Sequence, residues 1–555
     1  MVRRILLQVV GAAPLAYALA YPIDAPVVDL GYARYRGVLN DTAGLNSYFG
    51  IRYAKAPIGQ LRWQAPVPID TEANPLYHET LNATTYGPAC IQAGVPWSSS
   101  SFGFPPITQE SEDCLILDVV TPSKPISDKL PVMVQIHGGG YALGDSATAP
   151  GQALVHHSRS NLIYVAIQYR LGSFGFLAGD EVKADGVWNA GLLDQRAALE
   201  WVQRHIHKFG GDASKVTIIG GSAGGGSVSL QMTMYGGESD PPFRAALNTQ
   251  YQTFLSAANC STLPCLRSLP TSALQLATTR ANAAAYAARQ FAYGTFYWGP
   301  AVDGAVVPTV PFAAFRAGAF ARVPLLVDHD GFEGVVFSNA SLTTTAEVIA
   351  DLAALWPTTP VSTVADLVAL YPASQFNGTA LEAQPFFSLL EGGVAASTAF
   401  AQRQAVFGDA MIDCPTSVMA GAVSATGEKA WKMVFNAGDQ VHGATAEFLF
   451  STTINRYFVL HVGYVDADAD EIFVAAGDVL GNATLGAILR DYFVSFAVEL
   501  DPNAWATVAN KPAWQAFKAK EESVLDVEFT SINVKRDPDA SKQCEALEEA
   551  GVVGF

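Results

Sequence analysis

The stretch Lys215 to Ser227, K-V-T-I-I-G-G-S-A-G-G-G-S, constrains the chain more than any other. Val216 to Ile219 is a short β-branched run, the pattern of a buried strand. Gly220-Gly221-Ser222-Ala223-Gly224 follows at once and fits G-x-S-x-G, a turn that lifts a serine above a sheet edge and starts a helix beneath it. A Cβ at either flanking glycine would crowd so tight a turn. The free N–H groups at the start of that helix would face any negative charge developing beside the serine. A Gly-rich loop with an incidental serine reads the same way in a chain of 555 residues, so the case depends on what else the chain supplies.

Strand and helix patterns alternate around this stretch. Pro131 to Ile136 and Leu162 to Tyr169 read as strands, and Leu192 to His205 as a helix with Leu193, Ala197 and Val202 on its buried side. Val323 to Val327 and Trp431 to Phe435 are further short strands. This alternation predicts an α/β fold with a large, mostly parallel central sheet covered by helices on both faces. Ala25 to Tyr53 mixes short strand-like runs with turns, as an antiparallel edge does. Ala273 to Ala288, Thr345 to Leu355 and Thr363 to Leu370 read as helices, and their place between the elbow and the later strands makes them an insertion over the sheet. In the last helix Thr363 and Asp366 have capping-box spacing, and Val364, Leu367, Leu370 and Tyr371 form an apolar stripe.

Composition narrows the setting. Arg3 and Arg4, the apolar run Ile5 to Leu15 and the A-x-A site Ala18-Leu19-Ala20 predict a secretory leader over residues 1–20, leaving one domain over 21–555. A membrane anchor is the alternative, but the apolar run is short for a span. Six N-x-S/T sequons, at Asn40, Asn82, Asn259, Asn339, Asn377 and Asn482, agree with export as a glycoprotein. The formal net charge is −18 and no long basic run is present, which argues against a nucleic-acid partner. No later stretch reads as a membrane span. The six cysteines, Cys90, Cys114, Cys260, Cys265, Cys414 and Cys544, suggest three bridges with 15 pairings open. None has zinc-site spacing, so no metal is expected.

Several motifs then fall together. They are Gly50-Ile51-Arg52-Tyr53-Ala54 with Pro57, Gly59, Leu61 and Arg62; Glu112-Asp113-Cys114-Leu115; Tyr169-Arg170-Leu171-Gly172; and Asp194 to Leu199. With the elbow, they resemble the type-B carboxylesterase/lipase family, which includes fungal lipases and cholinesterases. The resemblance covers most of Val28 to Phe517. It implies the α/β-hydrolase fold and a secreted serine carboxylic-ester hydrolase working through an acyl-enzyme. Its substrate would be a small-molecule or lipid ester, with no cofactor. A non-catalytic binding or adhesion protein on the same fold is the alternative, since fold does not fix function.

Within the resemblance Ser222 is the nucleophile, and a serine hydroxyl needs an adjacent base at neutral pH. His442, in Val441-His442-Gly443, resembles the family's H-G motif ahead of Phe448-Leu449-Phe450, with His461 as the nearest competitor. Glu333, in Gly331-Phe332-Glu333-Gly334, resembles the E-G motif and gives the chain order Ser…Glu…His, with Asp328 and Asp330 as competitors. Gly139, Gly140 and Ala223 would supply the oxyanion-hole amides. A triple glycine after a buried strand costs conformational entropy and asks for such a reason. His137 supports that loop in this reading.

The resemblance also implies bridges Cys90–Cys114 and Cys260–Cys265, which leaves Cys414 with Cys544, and buried ion pairs Arg62–Glu112 and Arg170–Asp194. Trp97, Phe102, Phe104, Pro105 and Pro106 lie between Cys90 and Cys114, on a loop that suits either a pocket wall or plain packing on the core. Two departures stand out. Gly221 replaces the glutamate usual before the serine, and Thr249-Gln250-Tyr251 replaces the usual Q-S-G. The first argues against a choline-ester preference, and the second against a secondary serine supporting the acid.

Overall fold

The computed structural model describes residues 25–70, 79–97, 109–237, 254–376, 397–438, 440–450 and 482–553. The expected leader over residues 1–20, Asn377, His461, Phe102 to Pro106 and Thr249 to Tyr251 lie outside these residues.

The described strands are β1 (Val27–Asp29), β2 (Arg34–Arg36), β3 (Val38–Asn40), β4 (Leu45–Arg52), β5 (Thr80–Asn82), β6 (Ile116–Pro122), β7 (Leu130–Ile136), β8 (Ile163–Ile167) and β9 (Gly211–Gly220). Beyond them come β10 (Leu325–Asp330), β11 (Ala430–Asn436), β12 (Ser523–Glu528) and β13 (Ile532–Arg536). One ladder runs β3-β4-β6-β8-β7-β9, antiparallel up to β8 and parallel through β8, β7 and β9. A second runs β10-β11-β12-β13 and is parallel through its first three strands. A small ladder, β1-β2-β5, covers the amino-terminal edge. Every residue of β7 and β8 is buried, as expected of parallel strands covered on both faces.

Helix Ala483–Glu499 ties the two larger ladders together. It packs on β7 and β9. It also sends Leu489, Tyr492, Phe493 and Phe496 into a cluster with Trp431, Met433 and Phe435 of β11. Ile219 of β9 and Leu326 of β10 pack against that same cluster. Helices Thr345–Leu355, Val361–Ala369 and Thr398–Gly408 bury their apolar faces in a separate cluster with Cys414, Cys544 and Leu547. All three bridges form: Cys90–Cys114, Cys260–Cys265 and Cys414–Cys544. Both ion pairs form too. Arg62 grips Glu112 at 2.7 and 2.6 Å, and Arg170 grips Asp194 at 2.7 Å through Nε and again through Nη2.

Some local expectations shift. The last inserted helix begins at Val361 behind Pro360, and Thr363 caps nothing. Proline already holds the φ of −56° that leads into the helix, so the chain turns two residues earlier. The capping box belongs instead to Thr344 and Glu347. Leu370 is 37% exposed and leaves the apolar stripe, since the earlier start places it at the helix end. Leu192 rather than Leu193 is fully buried in helix Ala190–His205. β10 lies later than the Val323 to Val327 run and carries Asp328, His329 and Asp330 as strand residues.

Among the described sequons, Asn40, Asn82 and Asn259 are exposed, while Asn339 and Asn482 are half-buried. Asn482 caps its helix through Leu485 N, and its amide nitrogen donates to Phe529 O at 2.8 Å. A sugar on that nitrogen would displace the bond. Among the described residues no helix is long and apolar enough to cross a membrane.

Candidate active site

Four segments that follow the carboxyl ends of parallel strands carry the candidate groups: 137–140 after β7, 220–224 after β9, 331–333 after β10 and 440–443 after β11. Open α/β sheets place ligands at those strand ends.

Ser222 is the residue between β9 and helix Ala223–Thr233, and it sits at φ +56°, ψ −131°. A side chain at such a φ costs about 1–3 kcal/mol, a strain that concentrates at functional sites. Its hydroxyl makes no capping bond and the residue is exposed. The flanking glycines explain how the turn is made. A Cβ on Gly220 would overlap the Gly224 backbone, and one on Gly224 would overlap Ile136 O. At Gly221, by contrast, a Cβ would meet no atom of the described residues within 4 Å.

The glycine loop lies directly against the elbow. A Cβ on Gly138 would come within 2.7 Å of Gly221 O and 2.9 Å of the Ser222 Cβ. Gly139 and Gly140 take φ +104° and +62°, values that favour glycine. Among the described residues the amides of Gly139, Gly140 and Ala223 donate to no protein acceptor. His137 is buried, stacks on Tyr169 with centroids 4.4 Å apart and places Nδ1 2.8 Å from Gly138 O. Burial holds its pKa below 6.5, as suits a neutral prop for the loop.

Glu333 and His442 meet directly. The buried Glu333 carboxylate bonds His442 Nδ1 through Oε2, and its Oε1 accepts the Asp330 amide at 2.7 Å. His442 Nε2 is buried and has no hydrogen-bond partner among the described residues, so no bond joins it to Ser222 Oγ. Burial opposes charging of His442, but the Glu333 charge and hydrogen bond, with help from Asp330, raise its pKa above 6.5. For Glu333 burial works the other way, yet the His442 charge and bonds from His442 and Asp330 hold its pKa below 4.5. The competitors do different work. Asp330 bonds the backbone of the histidine loop. Asp328 is half-buried, and desolvation with the Glu333 charge pushes it up to about 6.

Aromatic side chains join the two halves of the site. A Cβ on Gly140 would overlap the Phe296 ring, and Phe296 lies 5.8 Å from Trp97. Phe337 packs edge-on to His442 at 4.9 Å and shares the Trp97 cluster. Trp97 is buried and donates to Thr295 O, so the described part of the Cys90–Cys114 loop packs on the core. Behind Glu333 lies a charged network that the sequence did not announce. His329 reaches Asp539 at 2.9 Å and Asp413 at 3.2 Å, and buried Lys432 bonds both Asp537 and Asp539. Burial would lower His329, but Asp413 and Asp539 hold it up to about 10. Only the alternation Asp328-His329-Asp330 hinted that a strand end carried charge, and partners more than 80 residues away leave no local mark.

Comparisons with known proteins bear on the family and the fold. Carboxylesterase patB of Aspergillus clavatus is 36% identical over 393 residues, 60% of this chain and 69% of that protein. Lipase 5 of Diutina rugosa is 35% identical over 359 residues, 56% of this chain and 63% of that protein. The crystal structure of Aspergillus niger EstA superposes with a TM-score of 0.76 at 28% identity, covering 95% of this chain and 98% of that one. The Carboxylesterase family model matches residues 24–546, and the chain therefore belongs to the carboxylesterase family, a carboxylic ester hydrolase on the α/β-hydrolase fold.

Proposed function

We propose that the chain hydrolyses esters through an acyl-enzyme on Ser222, with His442 as base and Glu333 as the acid that orients it. The observation that carries this reading is the Glu333–His442 hydrogen bond, which fixes one ring nitrogen and leaves Nε2 without a partner among the described residues. Glu333 holds the proton on Nδ1, so Nε2 is the lone-pair nitrogen. Ser222 Oγ attacks the ester carbonyl carbon as Nε2 takes its proton. The carbonyl oxygen becomes an oxyanion against the amides of Gly139, Gly140 and Ala223. The C–O bond to the alcohol then breaks, and His442 returns the proton to the departing oxygen. Water, deprotonated by His442, attacks the acyl carbon, and the carboxylic acid leaves as Ser222 recovers its proton. Glu333 stays ionised throughout and stabilises the imidazolium.

The leader, the sequons and three disulfides support an exported, single-domain glycoprotein acting outside the cell. Sugar at exposed Asn40, Asn82 and Asn259 fits better than at Asn482, whose amide nitrogen is engaged. Open space at Gly221, with no acid beside the nucleophile, favours neutral esters over cationic ones. Purified Ser222→Ala is the test. The expected loss in kcat is at least ~10⁴-fold, the scale of triad deletions. Retention of most activity removes Ser222 from the mechanism.

A further inference from the structure

We propose that Asp330 is a positioning residue for this reaction, clamping the loop that carries His442 onto the segment that carries Glu333. The proposal rests on the triad reading above. Asp330 ends β10 and is 5% exposed. Its Oδ2 accepts the Gly443 amide at 2.7 Å, and its Oδ1 accepts the Thr445 amide at 3.0 Å and the Thr445 hydroxyl at 2.7 Å. Its own amide donates to Glu333 Oε1. One residue thus holds both partners of the acid–base pair.

The placement relative to His442 gives this meaning. Among the described residues, backbone bonds from the Glu333 segment reach the histidine loop as far as Val441, and Ala444 N closes a turn over His442 and Gly443 by donating to Val441 O at 2.9 Å. Gly331 N donates to Phe435 O at 3.0 Å, Phe332 N donates to Gln440 O at 2.7 Å, and Phe332 pairs with Val441. His442 follows immediately, and Gly443 behind it sits at φ +95°, a backbone conformation that favours glycine. The Asp330 carboxylate catches the chain on the downstream side, at Gly443 and Thr445. The imidazole is therefore bracketed between a strand bridge and a buried carboxylate. A 1 Å misplacement of a catalytic group costs about 100-fold in rate, so the bracket bears on kcat.

Charge adds a second consequence. The groups facing Asp330 are Glu333 and Asp328, which repel its ionised form, and His442 and the Thr445 hydroxyl, which favour it. His329, next in the strand, turns its Nδ1 to the Asp330 carbonyl at 3.0 Å. Burial and Glu333 push the carboxyl well above the usual range. Protonated Asp330 would present a hydrogen where three donors converge, and the clamp would slacken.

The experiment compares wild type, Asp330→Asn and Thr445→Val in kcat, KM and the pH profile of kcat, with phosphonate labelling of Ser222 in wild type. An asparagine keeps the shape but sets an NH₂ against at least one converging donor. Asp330→Asn should lose about 10- to 100-fold in kcat with KM within about twofold. Its acid limb should move to lower pH, because His442 loses a facing negative charge. Thr445→Val removes one donor and no charge, so kcat should fall less and the limb should stay. If Asp330→Asn does not fold, the Thr445→Val loss in kcat at unchanged KM decides. Labelled, active wild type whose folded variants keep wild-type kcat and limb overturns the Asp330 proposal alone. Wild type unlabelled at Ser222 overturns the triad reading and this proposal with it.

Discussion

Glu333→Gln is the sharpest perturbation the site offers, because the structure dictates how the new amide must sit. The Asp330 amide points at Oε1 from 2.7 Å, so a carbonyl oxygen has to face it. The glutamine NH₂ is then forced toward His442 Nδ1, where Glu333 Oε2 stood. A donor there makes Nδ1 the acceptor and moves the ring proton to Nε2, the nitrogen that must receive the serine proton. Wrong-tautomer histidine in a serine triad costs about 10⁴-fold in kcat, close to 5.5 kcal/mol of barrier. The charge change acts separately. Burial pulls the His442 pKa down, and the Glu333 charge is the main factor holding it up. Without that charge the pKa falls. The acid limb of kcat/KM should therefore move to lower pH in Glu333→Gln than in wild type. Initial rates on a chromogenic ester from pH 4 to 9 measure both effects. A loss under about tenfold, or an acid limb that does not move, would refute the reasoning.

Other outcomes follow from the same geometry. Lys432 is fully buried between Asp537 and Asp539, and Lys432→Met should cost about 3–5 kcal/mol in denaturant unfolding by leaving buried carboxylates unpaired. A loss below about 1 kcal/mol would mean water or a proton already compensates those acids. Gly224→Ala should abolish folding or activity, since its Cβ overlaps the Ile136 carbonyl, whereas Gly221→Ala should change stability by no more than about 0.5 kcal/mol. Equal tolerance at both positions, read by thermal unfolding and kcat, would contradict the elbow geometry.

The sequence disclosed the site more readily than its supports. Gly220, Ser222 and Gly224 are legible because a tight strand-to-helix turn tolerates few residue types, and the structure puts Ser222 in the left-handed region there. Among the three acids at the end of β10, spacing alone did not choose. The choice depends on which carboxylate meets the imidazole, and Glu333, three residues beyond the end of β10, is the one that does. Helix Thr345–Leu355 was readable to the residue, because its own cap, Thr344 with Glu347, defines it. The Thr363 box failed because a proline upstream had already started the helix. His329, Lys432 and Asp539 were invisible as a group, since long-range burial rather than local pattern brings them together.

The central claim is that one serine hydroxyl carries the acyl group, and trapping it is the most direct measurement. Folded protein treated with a slow-leaving phosphonate ester should gain one adduct, found by peptide mass spectrometry on Ser222, as hydrolysis stops in proportion. Complete inhibition with the adduct on another residue, or an active protein that takes up none, would contradict the account.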